Sequence, residues 1–362
     1  MPKNQQIFLE LVMVGLWADA ESTNLLNQGL SEDVDWENIY HLAEEQSVVG
    51  IVVLGIEHLK NESPNLNVPQ DVLLQMIGEV QIVEQTNKAM NKFIEKLVGE
   101  MREKDIYTLL VKGQGIAQCY EKPLWRSSGD VDLLLSEDNY RKAKDFLLPL
   151  CTDHKNDERY SKHLGMNIDQ WYVEIHGTLR TGLSGRIDKE IDAVQSEVFN
   201  DGQVRAWKNG GTQVFLPAPD NDVFFVFTHF IKHFYKEGMN LRQISDWCRL
   251  LYRYRSELDI RVLESRIRRA GLMSEWKTFA VLTVDYLGMP AEAMPFLNIN
   301  DDFSANKKKA ERILKHILKC EPYNKVKDTW AIAKIFPWHT CKFLPAIFFH
   351  LNWLKVRERI MG

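Results

Sequence analysis

Apolar positions recur every three to four residues from the start of the chain to about residue 104, and few alternating runs interrupt them. That period predicts helices. Residues 36–47 carry one such stripe. Pro69 opens a longer one, with Val72, Leu73, Met76, Ile77, Val80 and Val83 on one face, continuing through Phe93, Ile94, Leu97 and Val98 to Met101. The pattern changes at Asp105. Residues 107–111 form a short β-rich run, Lys112-Gly113 follows it, and residues 115–120 open a helix. A second strand is predicted over 131–135. Ser136 then caps a helix over 137–148, which Pro149 closes. Runs over 163–168 and 171–176 flank Asp169-Gln170 and predict a hairpin. A second hairpin is predicted from 203–207 and 213–216 around Asn209-Gly210-Gly211. Pro217 and Pro219 mark a boundary, and helical patterns resume over 223–235, 241–254, 260–270 and 274–287. Pro290 and Pro295 mark a further linker. The reading is an α+β protein in four regions: an N-terminal helical region (1–104), a small α+β core (105–218), a helical domain (219–290) and a basic, aromatic C-terminal helical segment (291–362).

Composition changes this picture only modestly. Hydrophobic residues make up 45% and charged residues 26% of the 362, which excludes a disordered or fibrous chain. The net charge of −5 conceals an asymmetry. Residues 301–362 hold 10 Lys and 3 Arg against 3 Asp and 3 Glu, so the body before them is acidic. An acidic body argues against general nucleic-acid binding. The tail interleaves Lys334, Lys342, Lys355, Arg357 and Arg359 with Phe336, Trp338, Phe343, Phe348, Phe349 and Trp353. Such a pattern suits weak contact with an anionic membrane surface or a helix packed on the body, and the second is expected. The apolar run over 344–354 is too short to span a bilayer. The N-terminal MPKNQQIFLELVMVGL contains Glu10 and no cleavage region, so it reads as an amphipathic helix. The five cysteines form no C-x-x-C pair. They suggest neither a zinc knuckle nor a disulfide framework, and a cytoplasmic location fits them best.

The chemistry concentrates in three short runs. In Ser128-Gly129-Asp130-Val131-Asp132-Leu133, a strand places Asp130 and Asp132 on one face, because side chains at i and i+2 point the same way. Two like charges so close repel, and a divalent cation makes the arrangement favourable. Spacing alone does not separate this from ordinary surface charge. The chain holds two other pairs so spaced, Asp33/Asp35 and Asp220/Asp222, and both precede predicted helices, where acids favour the helix N-terminus. In Trp171-Tyr172-Val173-Glu174-Ile175-His176, Glu174 shares a face with Tyr172 and His176. A lone strand acid is usually solvent-facing; beside an aspartate pair it could complete a three-carboxylate metal site. In Leu109-Leu110-Val111-Lys112-Gly113, a strand opening into a helix can present backbone N–H groups to phosphate, with Lys112 adding a charge. Arg126 could hold another phosphate oxygen. His229, His233 and Glu237 fall at i, i+4, i+8 and share a helix face, which suits a buried polar network or cleft lining better than zinc. Arg242 and Asp246 are expected to pair.

Taken in order, L-L-V-K-G-Q-G-I-A-Q-C-Y, P-L-W-R-S-S-G-D-V-D-L-L-L and V-E-I-H-G-T-L resemble the bacterial uncharacterised nucleotidyltransferase family, a branch of the DNA polymerase β-like superfamily. H-F-I-K-H-F and L-R-Q-I-S-D-W-C-R-L-L extend the resemblance, which covers roughly 105–255. It implies a mixed sheet with flanking helices and a cleft for a nucleoside triphosphate with Mg²⁺ or Mn²⁺. The implied metal ligands and catalytic acids are Asp130, Asp132 and Glu174; the implied nucleotide contacts are Lys112, Gly113, Arg126, Ser127 and Ser128. Two departures stand out: Lys112-Gly113 replaces the Gly-Ser of many superfamily members, and Glu174 replaces an Asp. The implied reaction moves a nucleoside monophosphate onto a hydroxyl of a small molecule, glycan precursor or protein. A non-catalytic partner-binding module with the same fold, or a toxin-type nucleotidylyltransferase, are the alternatives.

Overall fold

The stripe that begins after Pro69 becomes one long helix, and the rest of the molecule is arranged around its two halves. The computed structural model describes residues 1–17, 34–62, 66–154, 162–297, 302–319, 324–345 and 347. In chain order the first helices are α1 (Lys3–Leu16), α2 (Trp36–Glu45), α3 (Val49–Glu62) and α4 (Gln70–Glu103). The core then runs β1 (Leu109–Val111), α5 (Gly113–Ala117), β2 (Asp130–Leu134), α6 (Glu137–Leu147), β3 (Cys151–His154), β4 (His163–Ile168), β5 (Trp171–His176), α7 (Gly185–Asn200), β6 (Val204–Asn209) and β7 (Thr212–Pro217). Helices α8 (Pro219–Lys236), α9 (Leu241–Tyr254), α10 (Ile260–Ala270), α11 (Met273–Leu287), α12 (Ser304–Ile317) and α13 (Lys325–Ala333) follow. The result is an α+β protein with a seven-stranded mixed sheet, in the order β3-β4-β5-β2-β1-β7-β6, flanked by helices. Strands β2 and β5 pair in parallel, as do β1 and β7; the other neighbours are antiparallel.

Alternation along the strands gives the sheet two different faces. One face carries Leu110, Val131, Leu133, Val173, Ile175, Leu164 and Val214, packed against the second half of α4 (Met90, Phe93, Ile94, Leu97) and against α6. The other carries Leu109, Val111 and Leu134, which join the larger core of α1–α3, the first half of α4 and α7–α12. Asp130 and Asp132 alternate with Val131 and Leu133, so they fall on this second face.

The N-terminal helices lock together by close backbone approach. A Cβ on Gly15 would lie 1.9 Å from the Ile51 carbonyl oxygen, and one on Gly55 would lie 2.1 Å from that of Leu11. No other residue permits that approach of α1 to α3. The N-terminal helices and the helices α11 and α12 join the same core. The Trp17 indole donates to the Leu287 carbonyl at 2.6 Å, and the Gln46 amide donates to the Ile317 carbonyl at 3.1 Å. Within the described part of the C-terminal segment, Ile332, Ile335, Phe336 and Phe343 are buried. Tyr235 and Phe343 meet edge to face at 4.9 Å. This segment packs on the body, while Trp330 and Trp338 face outward. Lys355, Arg357, Arg359, Phe348, Phe349 and Trp353 lie outside the described residues. Among the described residues no helix is long and apolar enough to cross a membrane.

Two elements go beyond the sequence expectations. Helix α7 buries Ile187, Ile191, Val194 and Val198, a stripe at helical spacing, and strand β3 adds an edge to the sheet. The helix expected over 115–120 instead starts at Gly113 and lasts five residues.

Candidate active site

Register brings the acids together. In the parallel ladder of β2 and β5, Asp132 lies beside Glu174 and Asp130 beside Tyr172. Neighbouring strands run about 4.8 Å apart, so paired side chains on one face touch. One carboxylate oxygen from each of Asp130, Asp132 and Glu174 falls within 4.8 Å of the other two. The strand opposite contributes Gly165, which pairs with Glu174; a Cβ there would lie 2.1 Å from the Tyr172 hydroxyl, so glycine leaves room for that ring.

Lys112 completes the cluster from the end of β1. Its φ of 60° is a backbone conformation that side chains rarely adopt, and such strain costs about 1–3 kcal/mol. From there its ammonium reaches Asp132 Oδ1 at 2.8 Å. Asp132 is 2% exposed. Burial alone would raise its pKa, but the Lys112 charge and a hydrogen bond from His176 outweigh that and hold it well below the usual carboxylate range. Burial works against the charge on Lys112 too, and Asp132 more than compensates. Asp130 moves the other way: burial and the neighbouring Asp132 charge push it up. Glu174 stays below its ordinary value, because His163 outweighs the effect of burial. Burial lowers His176, against the pull of Asp132, and the ring donates Nε2–H to Asp132 Oδ1 at 2.7 Å.

The turn before Asp130 is fixed from three sides. Arg126, 5% exposed, forks onto Asp246 of α9 with two contacts of 2.7 Å. Its third nitrogen donates to the Ser127 carbonyl at 3.1 Å and the Ser128 hydroxyl at 2.8 Å. Tyr120 donates to the same Asp246 at 2.8 Å. Arg242 donates to the Ser127 carbonyl at 2.9 Å, so the expected partner of Asp246 holds the turn while Arg126 takes the acid. Asn87 of α4 donates to the carbonyls of Leu124 and Arg126, each at 2.8 Å. Gln114 donates to Asn87 at 2.7 Å and to Ser128 at 3.1 Å. Asp130, Asp132, Glu174 and Lys112 are thus brought into one cluster, whereas the Arg126 guanidinium is turned away into the protein and acts on Ser127 and Ser128.

Helix α8 brings His229 close enough to feel the charges of Lys112 and Asp132. His229 and His233 turn Nε2 atoms toward each other at 3.0 Å, and His233 contacts Glu237 at 3.1 Å. Burial, then the nearby Lys112 charge, pushes His229 well down. Burial takes His233 down to about 4. Asp35, Asp220 and Asp222 have structural partners. Asp35 accepts from Asn38 N at 3.0 Å and caps α2; Asp33 lies outside the described residues. Asp222 pairs with Arg205, and Asp220 accepts from Asp259 N at 2.9 Å.

Sequence reasoning missed Asn87, Gln114 and His163. Asn87 interrupts the apolar stripe of α4 between Val80 and Ile94, which is a readable sign of a buried polar role. His163 faces His176 once the hairpin is counted outward from its two-residue turn.

The converging carboxylates and adjacent lysine are the residues that the sequence resemblance singled out. Residues 32–288 match the family model described as an uncharacterised nucleotidyltransferase, and the chain belongs to that family. The match reaches beyond 105–255 to include α2–α4 and α10–α11. Neither a curated protein nor a solved structure matches the chain.

Proposed function

We propose that this protein is a Mg²⁺- or Mn²⁺-dependent nucleotidyltransferase that moves a nucleoside monophosphate from a nucleoside triphosphate to a hydroxyl of a small-molecule, glycan-precursor or protein acceptor. The observation that carries this reading is the convergence of Asp130, Asp132 and Glu174 on one sheet face beside Lys112. The residues fit a hard divalent cation. All three donors are carboxylate oxygens, and the Lys112 ammonium pairs with only one of them, Asp132. When bound, such an ion neutralises phosphate charge and lowers the pKa of a coordinated hydroxyl. Asp130, Asp132 and Glu174 would hold it.

The chain's own groups then divide the work. Lys112 sets Asp132 in place and supplies positive charge where the phosphates would lie. Glu174 is the carboxylate that would take the acceptor proton. Gly113, Ser127 and Ser128 line the approach of the triphosphate. Arg126 is a positioning residue that fixes Ser127 and Ser128 through Asp246. The acidic body favours a glycan precursor, small molecule or protein as acceptor over nucleic acid.

A thermal-shift screen of nucleoside triphosphates with Mg²⁺ tests the reading. Wild type is expected to be stabilised by at least one triphosphate only when Mg²⁺ or Mn²⁺ is present, and Asp130→Asn is expected to lose the shift. A metal-independent shift, or one equal in the variant, contradicts it.

A further inference from the structure

The β4–β5 hairpin sets a second group of ligand atoms beside the first. His163 and His176 face each other across the ladder and stack, with ring centroids 4.7 Å apart and 8° between planes. Both present Nε2 to the same oxygen: His163 lies 3.1 Å and His176 3.5 Å from Glu174 Oε2. One ring nitrogen from each histidine and one Glu174 carboxylate oxygen lie within 4.8 Å of one another. Nε2 of His163 is buried, yet despite that short approach it has no partner in hydrogen-bond geometry.

These separations have a simple meaning. Zinc bonds of about 2.0–2.1 Å place tetrahedral ligands roughly 3.4 Å apart, close to both observed values. Ligand chemistry points the same way. Two imidazoles and one carboxylate suit a borderline ion, whereas the neighbouring all-oxygen set suits Mg²⁺. We propose that His163, Glu174 and His176 form a second cation site for a divalent metal of the Zn²⁺ class, with Glu174 the ligand that the two sites share. To coordinate, both rings rotate out of their parallel stack so that the two Nε2 lone pairs converge on the ion, and His176 carries its proton on Nδ1. It thereby releases Asp132, which Lys112 still holds at 2.8 Å. The site stands on its own geometry. One consequence rests on the proposed function: an ion here competes for Glu174 with the cation of the carboxylate set.

The test uses the full chain and Co²⁺, whose visible absorption reports imidazole coordination, with Zn²⁺ as competitor. Wild type is expected to bind one equivalent, and Zn²⁺ to remove the band. His163→Gln and His163→Ala are expected to weaken binding at least tenfold with unchanged circular dichroism, while Asp130→Asn retains the band. A band that survives both His163 variants, or that disappears in Asp130→Asn alone, overturns the assignment, as does a folded wild type that takes up neither metal. The Mg²⁺-dependent nucleotide shift is read on the same samples. Its absence from wild type defeats the nucleotidyltransferase reading and leaves the Co²⁺ result standing.

Discussion

Asp130/Asp132 and Asp220/Asp222 have the same spacing and opposite fates. The first pair lies on a strand, where a period of two turns both carboxylates to one face. The second lies in the first turn of α8, where Asp222 finds Arg205 and Asp220 accepts a backbone N–H. Asp222 is balanced one to one by its arginine. Asp132 has Lys112, but Asp130 and Glu174 crowd the same spot with no lysine or arginine paired to either among the described residues. Balanced charge marks the structural pair, and surplus charge marks the candidate site.

The largest effect that would break this comparison is on activity. Asp132→Asn is expected to lower nucleotidyl transfer by at least a hundredfold, measured as pyrophosphate release with Mg²⁺ and a suitable acceptor. Asp222→Asn should leave the rate nearly intact. Its expected cost is to stability, about 1–3 kcal/mol in urea unfolding, because half-buried Arg205 loses its counter-charge. If Asp222→Asn abolished transfer while Asp132→Asn did not, the two pairs would have been assigned the wrong way round.

A smaller effect sharpens the role of the turn before Asp130. Asn87→Leu removes the donors to Leu124 and Arg126 and is expected to cost about 1–3 kcal/mol. Because the turn carries Ser127 and Ser128, KM for the triphosphate should rise more than kcat falls. Steady-state kinetics with varied nucleotide separates the two, and an unchanged KM would assign Asn87 to stability alone.

The smallest effect concerns the histidines of α8. His229 and His233 have folded values below the ordinary 6.5, through burial first. The unfolded chain therefore binds protons that the folded chain refuses. Stability is complete above about pH 6.5 and falls as pH drops through the window down to the lowered folded values. The Tm of wild type should decline from pH 7 to pH 5, and His229→Gln should flatten that slope. A slope unchanged in the variant would remove His229 from the account.

Much of this was legible in the sequence, and for identifiable reasons. The stripe from Val72 to Met101, the hairpin around Asp169-Gln170 and the strand holding Asp130 all follow from periodicity. Their observed spans, Gln70–Glu103, His163–Ile168 with Trp171–His176, and Asp130–Leu134, differ from the expected ones by a residue or two at most. Joining Asp132 to Glu174 needed the parallel pairing of β2 with β5, which sequence spacing does not encode; the family resemblance implied only that Glu174 is the third acid. Arg126 shows the limit. A lone arginine near a phosphate-binding motif looks like a phosphate ligand, and only the fold reveals Asp246 beneath it, 120 residues away. Lys112 was visible as a charge, but its positive φ was not, since Lys-Gly permits many backbone paths.

Mn²⁺ binding followed by electron paramagnetic resonance in the presence of triphosphate tests the central claim most directly. Wild type is expected to bind Mn²⁺ at micromolar levels, and Asp130→Asn and Glu174→Gln should each weaken it at least tenfold while Asp222→Asn does not. Equal Mn²⁺ binding by all four proteins would contradict a cation shared by the three carboxylates.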